Sequence, residues 1–147
     1  MATQSIVRGN LLEDPELKEV NIGSERRTIC ELRVMSDVWR EGAQGEPVQD
    51  HVRTHPVQVT IWGEHLAKTC AEVLRRGMRI QAAGAMHPHV YRYSDSEREA
   101  GKQDFFEVRL AADDVTLCLN RVVGVTMRAP RSQTGGQESD ATDGALA

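Results

Sequence analysis

The sequence predicts an all-β domain with one helix: an OB-fold, five-stranded Greek-key barrel with a long hairpin arm between its fourth and fifth strands. Three observations lead there. Short runs of alternating apolar residues recur between turn signals, one stretch has clear helical periodicity, and that stretch falls between the third and fourth strand-like runs. Periodicity alone allows a small β-barrel or a mixed α+β domain; the helix position selects the OB arrangement.

The elements follow in order. Ile6 to Leu12 reads as the first strand and ends at the turn signal Glu13-Asp14-Pro15. Thr28 to Met35 alternates, with Cys30, Leu32 and Val34 on one face and Glu31 and Arg33 on the other. Arg40 to Arg53 holds two glycines, a proline and mixed charges, and reads as a long mobile loop. Val57, Val59 and Ile61 then alternate with Gln58, Thr60 and Trp62. The helix is expected over Glu64 to Arg76, where Leu66, Ala67, Cys70, Val73 and Leu74 share one stripe. Arg75 and Arg76 suit its C-terminal dipole, and Gly77 the C′ position. Met78 to Met86 forms a strand that runs on through Tyr91 and Tyr93 into the arm, whose charged tip spans Ser94 to Gln103. The chain returns through Phe105 to Ala111, turns at Asp113-Asp114, and closes with a short strand, Val115 to Leu119. No internal repeat is present.

A chain of 147 residues, 39% hydrophobic and 27% charged, holds one globular domain with a real core. We place that domain at residues 1–131. Residues 132–147 are polar and Gly-rich, lack periodicity, carry Glu138, Asp140 and Asp143, and read as a disordered tail. With those acids set aside, the net charge of −4 becomes a nearly neutral body, so charge alone gives no support to a nucleic-acid partner. No apolar run approaches the ~20 residues of a membrane span, and the N-terminus has no basic-then-apolar signal, so a cytoplasmic protein without a membrane partner is expected. The three cysteines, Cys30, Cys70 and Cys118, are widely spaced among apolar neighbours and read as buried thiols rather than a disulfide or zinc site.

With only 4% aromatic residues, their placement is informative. Trp62 shares its strand face with Gln58 and Thr60, opposite three aliphatic residues, and its ring suits base stacking. The competing explanation is a Trp covered by a loop or a partner subunit. Trp39 precedes Arg40 at a loop mouth, where a ring can stack a base while the cation meets a phosphate. It can equally anchor the loop on the barrel. In His87-Pro88-His89-Val90-Tyr91-Arg92-Tyr93, alternation puts His87, His89, Tyr91 and Tyr93 on one face beside Arg92, a row of rings resembling a stacking platform. Pro88 makes this an edge strand or a bulge, and a solvated hairpin is the plainer alternative. A His-x-His metal site lacks acidic or Cys partners at ligand spacing. The sequence holds no phosphate loop, nucleophile motif or His-Glu-x-x-His pattern, so neither catalysis nor a cofactor is expected.

Five short motifs in order resemble bacterial single-stranded-DNA-binding proteins: Val7-Arg8-Gly9-Asn10-Leu11, Asp14-Pro15-Glu16-Leu17-Lys18, Ser36-Asp37-Val38-Trp39-Arg40, Val59-Thr60-Ile61-Trp62-Gly63 and Leu74-Arg75-Arg76-Gly77. The resemblance spans about residues 5–120. It implies an OB barrel that protects single-stranded DNA during replication, recombination or repair, associated with the nucleoid and assembled as a homotetramer, a dimer being the alternative. It also implies stacking by Trp39, Trp62 and Tyr91. A further aromatic position of the family falls on Pro56, a His position falls on Val57, and basic arm positions become His87 and His89, which leaves the arm less charged at neutral pH. The family's tail ends in an acidic cluster with Pro-Phe, whereas this sequence reads Asp143-Gly144-Ala145-Leu146-Ala147, so recruitment of replication or repair proteins through that tail is not expected. A member diverging in this way suits a mobile element. The rival readings are an OB-fold primosome or recombination accessory protein acting through protein contacts, and an RNA-binding OB module.

Overall fold

The computed structural model describes residues 3–131. The expected tail, 132–147, lies outside them. The strands are β1 (Thr3–Leu11), β2 (Glu16–Ile22), β3 (Glu25–Ser36), β4 (Trp39–Glu41), β5 (Pro47–Gln49), β6 (His55–Ile61), β7 (Arg79–Tyr91) and β8 (Phe105–Leu117). The helices are α1 (Glu64–Val73), between β6 and β7, and the short α2 (Asp95–Glu99) at the arm tip. The main sheet runs β1-β7-β8-β6-β3-β2, and β1 also pairs with β3. That extra pairing closes five strands into a ring, with β2 hydrogen-bonded to the N-terminal half of β3 outside it. The β6–β8 pairing is parallel, and the other ring pairings are antiparallel. This is the expected OB architecture, a ring of five strands with its helix between the third and fourth.

Alternation builds the core. Val57, Val59 and Ile61 of β6 point inward beside Leu32 and Val34 of β3, Ile80 and Ala82 of β7, and Leu110 and Ala112 of β8, all at most 5% exposed. Each large aliphatic side chain buried in this way contributes about 1.5–3 kcal/mol. α1 packs against the sheet through Ala67 and Cys70, and Leu74 is buried beside them. Closure of the ring depends on Gly9: a Cβ there would lie 1.7 Å from the Met35 carbonyl oxygen, so any larger residue pushes β1 off β3.

Four expectations need correction. Residues 16–22, assigned to no strand, form β2; the segment alternates poorly and leaves Leu17 and Ile22 46% exposed, so no period-two signal marks it. The loop expected over Arg40 to Arg53 contains the β4–β5 hairpin, turning at Gly45 with φ +83°. The helix ends at Val73 rather than Arg76: Leu74 turns extended (φ −83°, ψ 149°) to bury its side chain, and Gly77 (φ +90°) serves the turn into β7 instead of capping the helix. Arg75 does serve the helix end, donating from Nη1 to the Ala71 and Leu74 carbonyls, while the Arg76 backbone N–H donates to Asp14.

Asp113-Asp114 also differ from expectation. They form a bulge inside one continuous strand, not a turn between two, because Ala83 faces Asp114 while Gly84 faces Ala112. Before the bulge, Leu110 and Ala112 face inward; after it, Val115 and Leu117 pack on the core. One extra residue has switched the inward face from even to odd positions.

Candidate nucleic-acid interface

The outward positions of four neighbouring strands line up. Arg33 of β3 lies beside Gln58 of β6, Gln58 beside Arg109 of β8, and Arg109 beside His87 of β7. The row follows from the same alternation that packs the core, since each member is one residue from a buried or half-buried apolar neighbour. Thr60 lies next to it, between Glu31 and Ala111. Glu31, one of two acids in this surface with Glu107, accepts from Lys18 Nζ at 2.8 Å and from Gln58 Nε2 at 3.2 Å. The bond to Glu31 raises the Lys18 ammonium above its ordinary value. Arg109 is held by Glu107 at 2.8 Å, an ion pair on a half-exposed surface that contributes at most ~1 kcal/mol.

From His87 the row turns along the arm. His89 faces Glu107 and Tyr91 faces Phe105 across the β7–β8 ladder, so His87, His89 and Tyr91 share the outward face as expected. Tyr91 and Phe105 stack with ring centroids 5.3 Å apart and planes 12° apart, worth ~0.5–1.5 kcal/mol, and both remain nearly half exposed. Tyr93 lies beyond the end of β7. Its ring packs at 5.1 Å on Tyr91, tilted by 59°, and Lys102 sits 5.2 Å from its centroid, so Tyr93 buttresses the platform instead of extending it. The arm tip is closed by α2, whose Ser94 and Glu97 form a capping box, and by Asp104. Asp104 accepts the Tyr93 backbone N–H at 2.9 Å and pairs with Arg98 at 2.8 Å; these bonds hold its carboxyl below the usual range. Arg92, the residue after the end of β7, is exposed.

The two tryptophans stand apart from the arm and from each other. Trp62 follows the last residue of β6, is 38% exposed, and lines an open cleft with Glu25, Arg26, Arg27, Thr28, Gly63 and Glu64. Arg26 pairs with Glu19 and Arg27 with Glu25, so the cleft is mixed in charge and offers chiefly the ring. Trp39, 55% exposed, opens β4 opposite Gln49; Arg40, also exposed, follows it opposite Val48. Trp62 lies near the Cys30 level of β3 and Trp39 just past Ser36, separated by roughly 20 Å of strand. The Trp39 indole Nε1 donates to Asp37 at 2.7 Å, and Arg79 donates to the same carboxylate at 3.3 and 3.4 Å. Partial burial raises the Asp37 carboxyl, but the bonds from Trp39 and Arg79 outweigh it and hold the group below its ordinary value.

The structure thus brings together Gln58, Thr60, His87, His89, Tyr91 and, as support, Tyr93, and leaves Trp39 with Arg40 and Trp62 at separate stations. Arg33, Arg109, Phe105, Lys102 and the Asp37–Arg79 pair were missed. Register is what joins Arg33 and Arg109 to the row, Arg33 through the antiparallel β3–β6 pairing and Arg109 through the parallel β6–β8 pairing, and the sequence does not carry the register of strands so far apart in the chain. Phe105 was within reach, since folding the arm as a hairpin places it opposite Tyr91. Among the described residues no group of three His, Cys, Asp or Glu side chains is placed to hold a metal, and no helix is long and apolar enough to cross a membrane.

Comparison with known proteins bears on the fold and the family. Among solved structures, the chain is similar to a small single-stranded DNA-binding protein from Streptomyces coelicolor, with a TM-score of 0.64 and 14% identity over 82% of this chain and 97% of that one. It is also similar to a Plasmodium falciparum SSB in complex with single-stranded DNA, with a TM-score of 0.59 and 12% identity over 78% and 93% of the two chains. At such identities these likenesses establish the fold. Residues 2–118 match the sequence profile described as the single-strand binding protein family. With most of its length matched to that profile, the chain belongs to the single-strand binding protein family.

Proposed function

We propose that the chain binds single-stranded DNA without strong sequence preference, by laying the strand across the outward row and onto the arm. The observation that carries this reading is the continuity from Arg33, Gln58, Arg109 and His87 to the stacked Tyr91–Phe105 pair: cations that meet phosphates lead directly to ring faces that meet bases. Trp62 and Trp39 add stacking stations too far apart for one base, so the binding unit is a strand several nucleotides long. The activity is binding, with no bond made or broken, and it serves wherever single strands are exposed in replication, recombination or repair. Self-association is part of the proposal. It is supported by the β1 edge at residues 3–8, which has no strand partner on one side among the described residues, bears one charge, and leaves Ile6 66% exposed.

The test is a titration with oligo-dT, oligo-rU and duplex DNA at two salt concentrations, followed by intrinsic tryptophan fluorescence, with solution mass measured alongside. Strong quenching by oligo-dT and little response to duplex is the expected result. Tyr91→Leu and Trp62→Leu should each weaken oligo-dT binding by about 1–3 kcal/mol, the range of one lost stacking contact. No quenching at low salt overturns the reading. One observation favours a second reading, an accessory protein acting through protein contacts: the opposite face of the arm carries Pro88, Val90, Phe106 and Val108, with Phe106 65% exposed.

A further inference from the structure

Trp39 is exposed, yet three structural elements converge on it. Its backbone is set by pairing with Gln49, and the preceding residue is held on both sides: the Val38 N–H donates to Thr54 Oγ1 at 3.0 Å, and the Val38 carbonyl accepts from Asp50 at 2.7 Å. Its ring is set by Asp37, which accepts the indole N–H and is only 13% exposed at its side chain. Asp37 in turn is fixed by Arg79 at the start of β7, and Arg79 donates at 3.1 Å to Asn10 near the end of β1. A flexible loop tryptophan needs none of this. An indole whose N–H edge is tied down can present only its face, which is the part a base stacks on.

We propose that Asp37 is a positioning residue for single-strand binding, tying the Trp39 indole by its N–H edge to the Arg79–Asn10 corner of the barrel so that the ring face is presented before DNA arrives. The inference rests on the reading that Trp39 stacks a base. Pre-fixing the ring removes an ordering cost that binding would otherwise carry. Arg79 has a second task here. A bare carboxylate beside a polyanion repels it, and the guanidinium 3.3 Å away compensates that charge.

In a Trp62→Phe background Trp39 is the one remaining tryptophan, so its emission reports the latch directly. Asp37→Ala should lower the anisotropy of that emission and weaken binding of a labelled oligo-dT by about twofold to tenfold, the range for one side chain ordered on binding. Asp37→Asn, which keeps an acceptor for the indole, should restore most of both. Arg79→Gln should weaken binding by a factor that shrinks as salt is raised, because the uncovered Asp37 charge is screened. In a Trp39→Leu background Asp37→Ala should have no further effect on affinity. If it costs the same factor there, or if the anisotropy does not change, Asp37 does not act through Trp39 and the proposal is overturned. If Trp39→Leu binds oligo-dT as tightly as the unmodified chain while Asp37→Ala still frees the indole, the stacking reading fails instead: the latch exists but orders nothing that DNA uses. Urea midpoints of the Asn and Ala variants separate loss of the latch from loss of the fold.

Discussion

Asp37 and the cysteines show how differently single side chains are tuned on one small scaffold. The Asp37 carboxyl lies below its ordinary value of 3.8 in the folded chain, so its contribution to stability is complete above that value and is lost as pH falls through the lowered one. Between about pH 5 and about pH 8 the latch therefore stays charged, and the Trp39 emission of the Trp62→Phe variant should be flat there, changing only in stronger acid. A change centred near neutrality would show that another group controls the ring. The thiols respond to burial instead: it pushes Cys30 up to about 12 and Cys70 to about 11. Cys118, half-buried at the end of β8, is shielded less. In mild base an aromatic disulfide reagent should label one thiol per native chain rapidly and all three after denaturation. Three fast thiols in the native protein would contradict this packing.

The elements owe their placement to a few tight contacts. Gly9→Ala puts a methyl where the Met35 carbonyl oxygen stands, and the overlap should cost about 1–3 kcal/mol or more, read as a lower urea midpoint. An unchanged midpoint would mean that β1 and β3 part easily and that the ring is not held closed there. Where alternation is clean, as in β3, β6 and the barrel half of β7, the sequence already indicates strand, face and core, and the helix between β6 and β7 identifies the topology. Legibility fails where the physics is not periodic. β2 leaves apolar residues exposed, β4 and β5 are three residues each, and the bulge at Asp113 resets the inward phase, which in one dimension looks like a turn. α2 had a readable signal in Ser94 and Glu97, the spacing of a capping box, hidden in a tip read only for its charge. The same limit applies to the interface: the arm rings are legible because they alternate along one strand, whereas Arg33 and Arg109 join them only through register.

At the scale of the whole molecule, charge and stacking divide the work unequally. The chain carries a net charge of −4, and the outward row has two arginines, one of them already paired with Glu107. Binding should therefore show a shallow salt dependence, a log–log slope of about −1.4 from two arginine contacts at ~0.7 per phosphate on a single strand. Arg33→Ala should reduce that slope by about 0.7, whereas Tyr91→Leu should lower affinity at every salt concentration and leave the slope unchanged. A steep slope insensitive to Arg33 would move the electrostatic contacts off the outward row.

The bulge at Asp113 also restricts how the chain can vary in length. Because β8 changes phase there, deleting one residue between Ala112 and Val115 restores a regular ladder and rotates everything on one side of the deletion by half a turn. Either Val115 and Leu117 swing out of the core, or Tyr91's partner Phe105 and the cation Arg109 trade faces with Phe106 and Val108. Insertions at the tip, around α2, leave that parity untouched. Changes of length at the tip should therefore leave the faces of the stem in place, whereas a single-residue change within the stem should not.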